Sequence, residues 1–184
     1  MKTLLVLAAA LDLAACGQPK TAGDESGAAD TCTAQATRTW RIGGEIYRLD
    51  ATAHGATCAG AQATLVLRAP GGAVIYTASF ATADIPLSFN PNAADSSALN
   101  DDINLWIENQ APGSTARALP AWPASADKPP QFRPSVTHDV YEAARASADP
   151  IYCFPDSGEG HACRAGNPPE RTATRLGRQT PGTP

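Results

Sequence analysis

The chain has 184 residues, with 14 Lys and Arg against 18 Asp and Glu, a formal net charge of −4. That balance excludes a protein that binds nucleic acid through a broadly basic surface. Apolar residues make up 43%, but Ala supplies 37 of them and Leu, Ile, Val and Phe together only 29. So small a share of large aliphatics with a high net charge would mean disorder; here the charge is low and three Trp and four Tyr remain, which predicts one small domain with long irregular stretches.

Residues 1–15 read as a secretory signal peptide. Lys2 supplies a positive start, Leu4 to Leu11 an apolar run, and Ala14-Ala15 small residues before a cut. The run is far short of the ~18 residues that span a bilayer. Asp12 interrupts the apolar region and weakens it for insertion. Leu13-Ala14-Ala15-Cys16 resembles the lipobox of bacterial lipoproteins at all four positions. That resemblance implies that Cys16 becomes the new N-terminus and carries a thioether-linked diacylglycerol. A membrane is then the first partner, held by about 0.8 kcal/mol per buried CH₂. Gly17 rather than Asp follows the Cys, which in lipoproteins of this kind implies the outer membrane, facing the periplasm.

Residues 16–37 are expected to form a lipid-anchored tether, because Gly17 to Gly27 is polar and Gly-rich and cannot bury a face. A single α+β domain is expected over 38–166: a small antiparallel sheet with one or two short helices packed on it, stapled by disulfides. Gly43-Gly44 marks a turn. Tyr47, Leu49, Ala51 and Ala53 then alternate with polar residues, the period of a half-buried strand. Leu65 and Leu67, the turn Pro70-Gly71-Gly72, and Val74, Tyr76, Ala78 and Phe80 predict a β-hairpin with one apolar face.

The period changes after Ser96. Leu99, Ile103, Trp106 and Ile107 fall on one face of a helix over 97–111, with Ser96 or Ser97 as its cap and Asp101-Asp102 near its positive end. Pro112-Gly113 stops it, and its face should lie on the hairpin. Six Pro over 112–135 predict extended coil with Leu119, Trp122 and Phe132 as contact points. A second helix from Ser135 or Thr137 to Ser147 turns Val136, Val140 and Ala144 inward. Ile151 to Phe154 and His161 to Arg164 read as strands around the turn 156–160. Residues 167–184 are expected to be a mobile tail, with Thr172 to Leu176 able to add a short edge strand. Arg171, Arg175 and Arg178 against Glu170 make it weakly basic.

Five Cys are present, and lipidation of Cys16 leaves an even four, as an exported disulfide framework requires. Cys153 and Cys163 flank the turn of one hairpin and can face each other; Cys32 and Cys58 then pair by elimination. Without Cys-x-x-Cys or paired His, no metal site and no cofactor are expected. Asp156, Ser157, Glu159 and His161 gather a hydroxyl, two carboxylates and an imidazole, but neighbours in a tight turn rarely hold a nucleophile, base and orienting group in line. His54 and His138 read as surface or capping residues. Trp122 is a candidate exposed sugar-binding aromatic.

The body from about 55 to 165 resembles small bacterial lipoproteins of no assigned activity. The residues that carry this are Cys58-Ala59, Ala63 to Arg68, Leu119-Pro120-Ala121-Trp122, Tyr152-Cys153-Phe154 and Ala162-Cys163. The resemblance implies no catalysis. The expected function is a lipid-anchored envelope protein, a non-enzymatic binding or structural module with an envelope protein or glycan as partner. The alternatives are a periplasmic binder of the lysozyme-inhibitor kind, disfavoured by the helix at 97–111, and a small envelope hydrolase using Ser157 or His161.

Overall fold

A computed structural model describes residues 32–108, 114–122, 132–147, 149–157 and 160–179. The expected signal peptide, Cys16 and the tether as far as residue 31 lie outside the described residues. So do the helix stop at Pro112-Gly113, residues 123–131, Gly158 and Glu159 of the turn, and residues 180–184.

The fold is α+β and mostly sheet. The first sheet is antiparallel, in the order β1 (Cys32–Ile42), β2 (Glu45–Gly55), β3 (Gln62–Arg68), β4 (Val74–Ala81). Its alternation is the one read from the sequence for β2 and β3: Tyr47, Leu49, Ala51, Ala53, Ala63, Leu65 and Leu67 are all buried. Directly opposite residues share a face, so one inner row is Ala34, Ala53, Ala63 and Phe80 and the next is Ala36, Ala51, Leu65 and Ala78. These small side chains have a packing consequence. They leave room for α1 (Ser96–Glu108) to lie close along β1 and β2, and Leu99, Ile103, Trp106 and Ile107 bury there as the helical period predicts.

Several expectations need correction. Sheet pairing reaches past both expected limits of the folded body, since β1 begins at Cys32, inside the expected tether, and a strand runs to Gln179. In β4 a register shift beside Leu67 changes the phase, so Val74 is 41% exposed and Ile75 only 4%. The helix cap is Asp95, whose Oδ1 accepts from the Ala98 amide at 2.9 Å. Ser96 Oγ instead accepts from the Thr33 amide. Because α1 starts at Ser96, Asp101 and Asp102 lie beyond its first turn; Asp102 braces the preceding loop by accepting from the Asn90 amide. The helix packs mainly along β1 and β2 rather than on the hairpin, although Trp106 reaches Phe80 edge-on.

The second sheet has the order β5 (Ser114–Thr115), β7 (Pro150–Pro155), β8 (His161–Asn167), β9 (Thr172–Gln179), β6 (Phe132–Pro134). β7 is buried on both faces: Tyr152 and Phe154 join the core shared with the first sheet and α1, while Ile151 and Cys153 join a second core. That second core is covered by α2 (His138–Ala146) and a 3-10 turn at Ala116–Ala118. Val136 and Ala144 pack against this core as expected, but Val140 does not. Tyr141 is fully buried and Val140 is 45% exposed, because the Tyr141 ring packs between Trp122 and Phe132 and its hydroxyl donates to the Pro120 carbonyl at 2.8 Å.

β9 is an interior strand, not a short edge, so the expected mobile tail is sheet from Thr172 to Gln179. Gly177 makes this possible: a Cβ there would run into the Arg133 carbonyl and come within 2.6 Å of the Phe132 ring. Cys153 is bonded to Cys163, its direct cross-strand partner, and Cys32 to Cys58, with Cα atoms 4.0 and 5.1 Å apart.

Candidate functional site

Strand register assembles charges that are far apart in the sequence. Tyr152, Arg164 and Arg175 form one cross-strand row of the second sheet, and Phe154, Ala162, Arg178 and Arg133 form another. Tyr152, Phe154 and Ala162 belong to the core shared with the first sheet, so the four arginines lie on the face turned toward that sheet, where β4 approaches β9.

The carboxylate that pairs with them among the described residues is Asp156, only 12% exposed at its side chain. Arg178 Nη2 donates to Asp156 Oδ1 and, at 2.6 Å, to Ser157 Oγ. Arg175 Nη2 lies 3.6 Å from Asp156 Oδ2. Arg164 is held otherwise. Its guanidinium carbon sits 4.1 Å from the centre of the Tyr76 ring, its Nη1 donates to the Ala173 carbonyl at 3.0 Å, and its Nε is buried without a partner. Burial raises the Tyr76 hydroxyl above its ordinary pKa, against the pull of the Arg164 charge.

Two other buried polar atoms without partners, Trp40 Nε1 and Tyr152 Oη, belong to the adjoining aromatic cluster. Trp40 stacks on Tyr47, and both meet the Tyr152 ring. Burial pushes the Tyr152 hydroxyl far above the usual tyrosine range, and the neighbouring Tyr47 adds to the shift.

The hydrolase candidates are divided among these surroundings. Ser157 Oγ accepts a hydrogen bond from the Arg178 guanidinium. His161 lies opposite Pro155 on β8. His54 stands in an exposed row with Thr33 and Gln62 on the outer face of the first sheet. His138 opens α2 beside Asp139 and Trp122, over the second core. No group of three potential metal ligands occurs among the described residues. Trp106 is fully buried, and Trp40 and Trp122 are half-buried against other rings.

An apolar cleft of about 350 Å³ lies on the second core, lined by Leu119, Phe132, Ile151 and Cys153 with Ser114 and Gln179 as polar groups. Among the described residues no charged or imidazole side chain lines it. The arginine rows are the chemically distinctive feature: Arg164 and Arg178 present held N–H donors, and Arg175 shares the Asp156 carboxylate with Arg178. The sequence reading noted Arg175 and Arg178 only as the basic character of a tail. Arg133 and Arg164 carried no sequence signal, since only strand register joins them. No family model, no curated protein and no solved structure matches this chain.

Proposed function

We propose that this chain is a lipid-anchored cell-envelope protein whose folded body is a non-enzymatic binding or structural module, held at the outer membrane and facing the periplasm. The observation that carries this reading is Leu13-Ala14-Ala15-Cys16 following a charged start and a short apolar run. Cysteine use supports it. The chain has five Cys, and four are paired as Cys32–Cys58 and Cys153–Cys163. Cys16 therefore has no cysteine partner within the chain, and disulfides suit an oxidising compartment outside the cytosol.

The fifteen residues 17–31 separate Cys16 from β1 and span at most about 50 Å when fully extended. A body on such a lead stays within reach of the membrane and of whatever lies beside it. Among the described residues no helix is long and apolar enough to cross a membrane.

Mass spectrometry of the protein from its native membrane tests this. The expected N-terminus is Cys16 carrying diacylglycerol, and Cys16→Ala should remain unprocessed or leave the membrane fraction. An uncut chain with unmodified Cys16 refutes the anchor.

A further inference from the structure

We infer that the arginine rows of the second sheet form an anion site that takes a phosphate group. It stands whether or not Cys16 is acylated, because it uses only the folded body.

The first observation is electrostatic. Register sets Arg164 directly opposite Arg175 and Arg178 directly opposite Arg133. Such residues share a face with Cβ atoms about 5 Å apart, where like charges repel. The first sheet contains the same arrangement and resolves it internally. There Arg48 is opposite Arg68, and Asp50 Oδ2 binds both at 2.9–3.1 Å. On the second sheet Asp156 pairs with two of the four guanidinium groups, those of Arg175 and Arg178. No described carboxylate pairs with Arg164 or Arg133. This excess of positive charge stands on a chain whose net charge is −4, so it is local to this face and not a property of the whole surface.

The second observation is geometric. A guanidinium carries five N–H donors in a planar fork. Arg164 gives one to Ala173, its Nε is buried without a partner, and Tyr76 packs against its plane. Arg178 is fixed by Asp156 and Ser157. Forks held in this way meet oxyanions with little further loss of side-chain freedom. A phosphate monoester matches them better than a carboxylate does. It brings about two negative charges and three acceptor oxygens, enough to face guanidinium groups from both rows.

The experiment uses the folded protein with its disulfides intact. One arm titrates inorganic phosphate by calorimetry in a phosphate-free chloride buffer. The other measures co-sedimentation with phosphatidylcholine vesicles containing phosphatidic acid, whose headgroup is a phosphate monoester. The variants are Arg133→Gln alone, at an exposed site in a three-residue strand, and Arg133→Gln with Arg175→Gln; circular dichroism melts establish that each folds. Arg48→Gln on the first sheet is the control.

Saturable phosphate binding is expected, weakened about tenfold for each arginine lost and unchanged by Arg48→Gln. Binding to the vesicles alone, with the same dependence on Arg133 and Arg175, assigns the phosphate to a lipid headgroup. Binding to neither ligand overturns the inference, as does binding that Arg48→Gln weakens as much as Arg133→Gln. If the native protein proves to lack acylation at Cys16, the anchor reading fails, and an intact phosphate or vesicle response still leaves this site standing.

Discussion

Trp106 connects the two sheets, and its replacement tests how the fold positions Asp156. The indole is fully buried, lies edge-on to Phe80 on β4, and touches Phe89 with ring centres 5.4 Å apart. Its Nε1 donates to the Pro155 carbonyl at 2.9 Å. Pro155 ends β7, and the next residue is Asp156, which pairs with two of the arginines. Trp106→Ala removes the ring and leaves a cavity, at a cost of about 3–5 kcal/mol. It also leaves the Pro155 carbonyl buried and unpartnered, about 1–3 kcal/mol more. The sum rivals the whole net stability of an ordinary domain, about 5–15 kcal/mol. Trp106→Phe keeps most of the ring contact and loses the donor, so about 2 kcal/mol is expected. Urea unfolding followed by far-ultraviolet circular dichroism, with disulfides intact, measures both. The reasoning is refuted if Trp106→Phe changes stability by less than about 0.5 kcal/mol, the range of an uninvolved surface position. It is refuted equally if Trp106→Ala costs no more than Trp106→Phe.

Two pH effects follow from named groups. Tyr47, Tyr76, Tyr141 and Tyr152 all have hydroxyl pKa values raised by burial above the ordinary value of 10.0. The stability each contributes is complete below that value and is lost as pH climbs through the higher folded one. Absorbance of the native protein at about 295 nm should therefore show little tyrosinate near pH 10, where the unfolded chain is half ionised; equal native and unfolded titrations would show that the rings are not buried. For Asp50, burial raises the pKa, but hydrogen bonds from Arg68 and Thr37 and the Arg48 charge outweigh it and hold the carboxyl below its ordinary value. Its contribution is present above the unfolded pKa, about 4, and is lost as pH falls through the lower folded one. Asp50→Asn should thus lower the melting temperature at pH 7 and converge with the parent in stronger acid; a gap that persists undiminished at low pH would refute the ion-pair account.

What could be read in advance follows from which physical signals are local. The hairpin of β3 and β4 was legible because Leu65 and Leu67 flank a Pro-Gly-Gly turn in which Gly71 and Gly72 take positive φ, at 81° and 89°. The helix face at Leu99, Ile103, Trp106 and Ile107 was legible because large apolar residues recur at one period. β1 was missed because a third of its inner face is made of Ala34 and Ala36, whose alternation with Thr33, Gln35 and Thr37 has little hydrophobic amplitude. The second helix was legible, with Val136 and Ala144 packing inward as expected, but Val140, apolar in pattern, gives way to Tyr141, which has the ring contacts and a hydroxyl that reaches the Pro120 carbonyl.

The arginine rows could not have been read in this way, because only strand register brings them together. Arg133, Arg164, Arg175 and Arg178 come from three strands, and two separate pairings of the second sheet set their relative positions. A bulge beside Cys163 places Arg175, rather than Leu176, opposite Arg164, and Gly177 lets Arg133 close in on Arg178. Without that bulge the two Arg of β9, three residues apart, would point to opposite faces, because strand side chains alternate with a period of two. The single register slip is thus what gathers the charge on one side. Repulsion between directly opposite cations opposes this arrangement, while the Cys153–Cys163 bond ties β7 to β8 at the row between Tyr152–Arg164 and Phe154–Ala162. The disulfide fixes β8, the strand of Arg164, against β7, while strand pairing that does not depend on their charges sets Arg175, Arg178 and Arg133 beside it, and an anion arriving there meets donors already gathered on one face.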